Sequence, residues 1–367
     1  MANDAKLVKH KHGKKLKKGE FYDRAPILAL DATYNFIYGG RSNGKSYSVK
    51  EWAIDEFART GKQFGYVRRW KEDVTQGLVR QYFADNDIDT LTGGEYNLID
   101  AGRGILEISK YNIETEKKSN RKTCGFYFPI SKASRFASTQ YPNLTNLIIE
   151  EVIPIDGRYV PQEMELLNHL ISTILRSKPD ARVFFICNSI SRQSPYWEEY
   201  GITDLVRNQN IGDLDLVERK TKDGPQRIAV EYSYPKPEGN KLFAGKRETM
   251  NVEGKWLADP HPHIDDITNW NTIYTFYVKC KAARYKCRYL VRGIEYTIYV
   301  EPVDSIPDTG RVVSDEFSFS PYNTVGFKPM TPYEAAVFEC IPTKCCYSDD
   351  LTGTEFEEIV ENFVNNA

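Results

Sequence analysis

Residues 39–46 read Gly39-Gly40-Arg41-Ser42-Asn43-Gly44-Lys45-Ser46, a G-x-x-x-x-G-K-S sequence. Its flanks constrain the fold as much as its letters do. Tyr34-Asn35-Phe36-Ile37-Tyr38 precedes it as a short apolar strand. Behind it, Val49, Trp52, Ala53, Ile54 and Phe57 recur at helical spacing. A strand, a glycine loop and a helix are the parts a phosphate-binding loop needs. Loop N–H groups and the helix N-terminus cradle phosphate oxygens, a lysine reaches the β- and γ-phosphates, and a hydroxyl holds Mg2+. Residues Gly39 to Ser46 are therefore the expected nucleotide site, with Lys45 on phosphate and Ser46 on Mg2+. An ordinary glycine turn accounts for the glycines but not for Lys45 and Ser46 at these offsets.

The rest of the first half fits an α/β architecture. Gln63–Arg69 reads as a second strand, followed by a helix carrying Val74, Leu78, Tyr82 and Phe83. Segments 96–99 and 104–109 read as a hairpin, and 124–130 as another strand. Leu147-Ile148-Ile149 and Val183-Phe184-Phe185-Ile186-Cys187 are buried-strand runs, with an amphipathic helix from Glu163 to Arg176 between them. Continuous apolar strands alternating with helices predict a mainly parallel sheet covered on both faces.

Glu150 and Glu151 end one of these strands. The C-terminal edge of an open parallel sheet is where ligands bind. In an ATPase of this layout the first acid supports Mg2+ through its water shell and the second polarises the attacking water. Strands also end in acids simply because they end at solvent. The phosphate loop already calls for a metal-binding acid, which favours the functional reading. Glu150 stands where Asp is usual. Asn188 follows the next strand, either as a turn residue or to orient the water and sense the γ-phosphate. Arg176 ends a helix, a favourable place for any cation. It is also a candidate arginine finger, since a guanidinium fork neutralises spread transition-state charge.

The chain of 367 residues is long enough for two cored domains. Its net charge of −2 gives no global nucleic-acid signal. The N-terminus is locally basic: Lys6, Lys9, Lys11, Lys14, Lys15, Lys17 and Lys18 face only Asp4 and Glu20. Such an arm is either a solvated, disordered tail or a contact for phosphates or an acidic partner. No stretch approaches the roughly 20 apolar residues of a membrane span, and no apolar signal segment opens the chain. The 7 cysteines show no repeated C-x-x-C spacing, as expected of reduced intracellular thiols. Cys340, Cys345 and Cys346 have no nearby His and do not read as a zinc site. His261 and His263 read as loop residues.

From about Asn208 the texture changes. Charged and Pro/Gly/Lys-rich stretches over 210–265 suggest a linker subdomain. Beyond it, 273–278, 288–291 and 296–300 read as antiparallel strands, with Arg292-Gly293 as a tight turn. A closing helix is expected to start at a Thr354-x-x-Glu357 capping box, with Phe356, Ile359, Val360 and Phe363 on one face.

Several of these pieces together resemble the DNA-packaging ATPases of small podoviruses of the φ29 type, a compact branch of the terminase-like, additional-strand catalytic-glutamate P-loop motors. The resemblance rests on Gly39–Ser46, Phe64–Arg69, Tyr141-Pro142-Asn143 leading into Leu147–Glu151, and Leu175-Arg176 followed by Cys187-Asn188-Ser189. It covers roughly residues 30–200. It implies an ATP-hydrolysing homomeric ring, a pentamer, that acts in the host cytoplasm at the portal vertex of a prohead and is absent from the mature virion. The ring pumps double-stranded DNA.

By carry-over, Lys45 and Ser46 bind phosphate and metal, Glu150 is the metal-supporting acid and Glu151 the catalytic base. Arg176 is the trans finger and Asn188 the coupling residue. A further trans-acting basic residue is expected near Tyr141, where Lys132 and Arg135 are both out of register. The resemblance divides the chain into a basic arm (1–25), an ATPase domain (26–209), a linker (210–265) and a smaller α+β domain (266–367). That last domain resembles an RNase H-like nuclease that has lost its activity. Strands 273–278 and 288–291 carry no acid, and Glu295 and Glu301 are scattered, whereas a two-metal nuclease needs clustered acids. Some relatives bind a packaging RNA there. Lys279, Lys281, Arg284, Lys286 and Arg288, interleaved with Tyr285 and Tyr289, form either a phosphate-contact patch or a solvated basic edge. The competing readings are a terminase with active nuclease and a non-motor P-loop protein such as a kinase, for which no acceptor pocket is legible.

Overall fold

A computed structural model describes residues 6–136, 139–155, 158–176, 178–192, 194–221, 224–236, 262, 264, 266–280, 283–315, 322–325, 331–339, 345–348 and 350–364. The chain divides into two compact units, Met1–Leu257 and Ala258–Ala367.

The first unit begins with β1 (Lys6–His12), α1 (Ala25–Leu28), β2 (Tyr34–Gly39), α2 (Lys45–Thr60) and β3 (Gln63–Arg68). A 3-10 turn, Lys71–Val74, leads to α3 (Gln76–Ala84), α4 (Ile88–Leu91), β4 (Leu98–Gly102), β5 (Ile105–Asn112) and β6 (Lys117–Pro129). A second 3-10 segment, Ile130–Phe136, precedes β7 (Leu144–Glu150), α5 (Glu163–Leu175) and β8 (Arg182–Ile186). The unit closes with α6 (Pro195–Glu199), α7 (Thr203–Asn208), β9 (Asp213–Thr221) and β10 (Gly224–Ser233).

These ten strands form one sheet in the order β1-β9-β10-β2-β8-β7-β3-β6-β5-β4. From β10 to β6 every neighbouring pair is parallel. Antiparallel strands extend both edges. β8 lies between β2 and β7, separating the strand that enters the glycine loop from the strand that ends in the acid pair.

The parallel centre is apolar because it is covered twice. One face packs Val49, Trp52, Ala53, Ile54 and Phe57 of α2 over Ile37, Phe64, Ile148 and Phe184. The other packs Leu167, Leu170, Ile171 and Ile174 of α5 over Phe36, Val67, Ile149 and Phe185. Phe36 and Phe185 stack at 4.3 Å and 6° across β2 and β8. Each fully buried side chain of this kind contributes about 1.5–3 kcal/mol relative to exposure. α2 stops at Gly61, whose φ of 75° allows its N–H to reach the Phe57 carbonyl.

Two expectations are corrected here. Residues 6–12 of the basic arm are not a free tail. They form β1, which pairs with β9 through Lys6↔Glu218 to His12↔Asp213. His10 and His12 each bond a buried aspartate, at 2.6 Å to Asp215 and 2.7 Å to Asp213. Likewise 213–221 and 224–233 are strands of the large sheet, not linker. Their charged residues misled the reading because β9 and β10 form an antiparallel hairpin whose far end is exposed. The remainder of that stretch, 237–261, lies outside the described residues, as do His261 and His263.

The second unit holds β11 (Asn271–Cys280), β12 (Ala283–Arg292), β13 (Glu295–Pro302), β14 (Val312–Ser314), β15 (Asn323–Val325), α8 (Pro332–Glu339), β16 (Cys345–Tyr347) and α9 (Asp350–Val364). Its sheet order is β15-β14-β11-β12-β13-β16. β11, β12 and β13 are antiparallel; β14 and β16 join the edges in parallel. Phe356, Ile359 and Val360 of α9 pack on Phe276, Tyr285, Cys287, Ile298 and Val300.

The helix begins at Asp350, so Thr354 sits inside it and is not its N-cap. Packing of the apolar face carries the helix back through Gly353, against a propensity cost of about 1 kcal/mol. The Phe363 side chain and Cys340 lie outside the described residues, and the six described cysteines are free thiols. Among the described residues no helix is long and apolar enough to cross a membrane.

Candidate active site

Because β2, β8, β7, β3 and β10 run parallel, their C-terminal ends open on one edge. A cavity of about 820 Å³ lies there. Its lining includes Ser42, Asn43, Gly44, Lys45 and Ser46 from the glycine loop and the start of α2, Glu150 and Glu151 after β7, and Asn188 after β8. The structure thus brings together residues far apart in sequence that were selected for one chemistry.

The loop geometry needs its glycines at two points. Gly39 has φ 147°, and a Cβ there would meet the Ser233 carbonyl oxygen at 2.5 Å. Gly44, at φ 94°, is the left-handed residue preceding α2. The loop is tied to β10 by Asn43, whose Nδ2 donates to Ser233 Oγ at 3.0 Å and to the Tyr234 carbonyl at 2.9 Å. Lys45 is 5% exposed. Its Nζ donates to the Gly40 carbonyl at 2.6 Å, and to Gly39 O, Asn43 Oδ1 and Asn188 Oδ1 at 3.3–3.4 Å. Burial lowers its pKa to about 8. A buried ammonium held by neutral oxygens is poised for an anion. Arg41 belongs to the loop but does not line the cavity.

The acids differ in environment. Glu150 is 8% exposed and accepts a hydrogen bond on Oε2 from the Tyr66 hydroxyl at 2.5 Å. Its Oε1 is buried without a partner. Glu151 is far more open, with a side chain 58% exposed, and its backbone takes the left-handed conformation at φ 57°. Arg68 spans the two: Nη2 lies 2.7 Å from Glu151 Oε2 and Nη1 3.6 Å from Glu150 Oε2. The Arg68 guanidinium also stacks over the Tyr82 ring, 5.0 Å from its centre.

Arg176 is not brought to this cavity. It is the exposed residue that ends α5. Lys132 and Arg135 lie in the 3-10 segment 130–136, the first half-buried and the second exposed, and neither lines the cavity.

Sequence reasoning missed several residues. Phe21, Tyr22, Arg24, Tyr47, Lys50, Glu51 and Asp85 also line the cavity. The Tyr22 hydroxyl donates to Glu231 on β10 at 2.6 Å, and burial pushes that carboxyl up to about 7. Arg68 and Arg69 were visible only as the end of a strand. An arginine pair closing an otherwise apolar parallel strand was the available signal.

In the second unit the suggested basic patch is altered. Tyr285 is buried against Phe356 and is no stacking platform, and Tyr289 stacks on Tyr296 at 5.7 Å. Arg288 is paired with Glu301. Lys281 lies outside the described residues.

The chain matches the family described as Podovirus DNA encapsidation protein (Gp16) over residues 16–221. It is 29% identical over 252 residues to the DNA packaging protein of Bacillus phage phi29, covering 68% of this chain and 69% of that protein. It is 27% identical over 252 residues to the DNA packaging protein of Bacillus phage PZA, with the same coverage of 68% and 69%. Its fold is similar to that of a chain in the bacteriophage Phi-29 viral genome packaging motor assembly, with a TM-score of 0.58 at 18% identity over 94% of this chain and 99% of that one. The family match spans more than half of the sequence and includes the glycine loop, both acids and Asn188, so the chain belongs to the podovirus DNA encapsidation (Gp16) family.

Proposed function

We propose that this chain is an ATP-hydrolysing motor that moves double-stranded DNA into a preformed prohead from its portal vertex in the host cell. The observation that carries the reading is the convergence of Lys45, Ser46, Glu150, Glu151 and Asn188 on one cavity, in a member of a DNA encapsidation family. β8 between the loop strand and the acid strand supports the additional-strand type of P-loop ATPase.

Lys45 exchanges its loop carbonyls for phosphate oxygens when nucleotide binds. The unpartnered, buried Glu150 Oε1 and the Ser46 hydroxyl are the hard oxygen donors that would hold Mg2+. When bound, that ion supplies positive charge against the β- and γ-phosphates. Glu151, the more exposed acid, is the base that polarises the attacking water, and Asn188 helps orient it. Arg68 holds a Glu151 carboxylate oxygen at 2.7 Å, so hydrolysis requires Arg68 to yield Glu151. Arg176, exposed and outside its own cavity, serves as the finger for a neighbouring subunit in a homomeric, five-membered ring.

The second unit is read as an RNase H-like domain, supported by three antiparallel strands followed by strands added in parallel beside the first of them. Lys279, Arg284 and Lys286 are its candidate contacts for an RNA or the portal.

The test mixes two variants. Arg176→Ala subunits and Glu151→Gln subunits should each bind ATP and each hydrolyse it slowly, by ~10³-fold in the case of a lost finger. In mixed rings some interfaces join an intact Glu151 cavity to an intact Arg176. Recovered ATPase activity supports the assignment. Absence of recovery in demonstrably mixed rings refutes the trans role.

A further inference from the structure

Glu151 has to be presented to the cavity from a backbone that does not hold itself in place. A non-glycine residue at φ 57° sits in a sparsely populated region and persists only when its surroundings fix it. The fixing group is Arg69. Its Nη1 donates to the Glu151 carbonyl at 2.8 Å and its Nη2 to the Val152 carbonyl at 3.0 Å. The guanidinium thus grips two consecutive carbonyls of the turn that carries the acid.

Arg69 is itself gripped. Its Nε lies 2.8 Å from Glu163 Oε2, and its Nη2 donates to Glu163 Oε1 at 2.9 Å. Both residues are buried, at 5% and 4% exposure. Glu163 opens α5 and is held by two further donors, the Tyr196 hydroxyl at 2.6 Å and the Val160 N–H at 2.7 Å. The Arg69 guanidinium packs over the Tyr159 ring at 5.0 Å. Neither side chain lines the cavity. Such a network is costly to desolvate, which offsets much of its Coulombic gain. It has a geometric consequence that packing alone lacks, because a planar fork fixes direction as well as distance.

We propose that Arg69, locked by Glu163, is a positioning residue for hydrolysis: it clamps the Glu151–Val152 turn so that the Glu151 carboxylate reaches the attacking water. The inference rests on the reading of Glu151 as the group that acts on that water. Misplacing a reacting group by about 1 Å is enough to cost on the order of 10²-fold in rate.

The experiment measures single-turnover hydrolysis of bound ATP by the full chain under ring-forming conditions. That rate constant does not depend on the fraction of folded protein, so a purely structural role leaves it unmoved. Arg69→Lys keeps a charge opposite Glu163 and loses the fork. It should slow hydrolysis by about tenfold, with the affinity for a non-hydrolysable ATP analogue within about threefold. Arg69→Met combined with Glu163→Gln removes both charges while leaving an acceptor for Tyr196 and Val160. It should slow hydrolysis by about 10²-fold. A normal rate constant in Arg69→Lys, or in the folded double variant, overturns the proposal. Glu151→Gln run in parallel separates the two failures. If it hydrolyses normally, the catalytic reading falls; if it is slow while the Arg69 variants are fast, only the clamp falls.

Discussion

Strand β3 ends at Arg68, Arg69 follows it, and the two arginines turn to opposite faces of the sheet, which treat them differently. Arg68 joins the Tyr66 side, where it meets the carboxylates of Glu150 and Glu151, and its Nε is buried without a partner. Arg69 joins the Val67 side, where Glu163 and two carbonyls satisfy its fork. One side is under-bonded beside a cavity, with an orphaned oxygen on Glu150 and an exposed Glu151. On the other, beneath α5, neither Arg69 nor Glu163 leaves a buried side-chain atom without a partner. The difference teaches where this molecule keeps freedom to rearrange and where it keeps shape. A group with spare bonding capacity can change partners when a phosphate arrives, whereas a saturated network cannot do so without loss.

The largest expected effect tests the cavity side. Glu151→Gln should reduce ATP hydrolysis by ~10²–10⁴-fold while leaving analogue binding and Tm near those of the parent. A comparable loss of Tm would mean that Glu151 belongs to the scaffold, and the contrast between the faces would collapse. On the other face the effect should appear in stability. Arg69→Gln strands the buried Glu163 and should cost about 3–5 kcal/mol, whereas Arg68→Gln should cost about 1 kcal/mol, because its direct partner Glu151 is exposed and the more distant, buried Glu150 keeps its bond from the Tyr66 hydroxyl. Denaturant unfolding of the two variants compares them directly, and equal losses would break the distinction.

A smaller effect concerns Lys45, whose pKa burial lowers to about 8. Phosphate oxygens beside it favour the charged form, so the bound state holds the proton more tightly than the free state. ATP affinity should therefore be full below pH 8 and fall by up to about tenfold per unit above it, until the bound-state pKa is passed. A flat affinity between pH 7 and 9, measured with a non-hydrolysable analogue, would show that the ammonium is not the phosphate contact.

The smallest effect concerns Glu231, which burial pushes up to about 7. The folded protein keeps a proton that the unfolded chain releases nearer the ordinary carboxyl range. The stability contributed by the neutral form is thus complete at low pH and lost as pH rises through 7. Glu231→Gln stays neutral and can still accept from Tyr22. It should raise stability by about 1–2 kcal/mol at pH 8 and by almost nothing at pH 4.5. A stabilisation independent of pH would point to packing instead.

Much of the α/β core was legible in the sequence. β2, α2, β7, α5 and β8 stand where their apolar periodicity places them, and Ser42–Ser46, Glu150, Glu151 and Asn188 meet because parallel strands deliver their C-terminal ends to one edge. Periodicity and motif spacing are local properties, and local properties are what a sequence displays.

The outer strands were not legible. β1 and β9 carry Lys6, Lys9, Lys11, Glu218, Arg219 and Lys220, so composition alone made them resemble tail and linker; only the pairing of β9 with β10, and of β1 with β9, turns them into sheet. Edge strands need backbone partners more than apolar side chains, and no residue announces such a partner. Nor could the sequence distinguish Arg68 from Arg69. They are the same residue type, one peptide apart, and strand alternation sends them to opposite faces. Which arginine meets Glu151 and which meets Glu163 was decided only when β7 and α5, about 80 to 95 positions along the chain, packed against β3. The sequence by itself determined that this chain builds a glycine loop facing two acids. Tertiary structure decided how the acids are held, because burial and hydrogen-bond saturation exist only once distant segments are in contact.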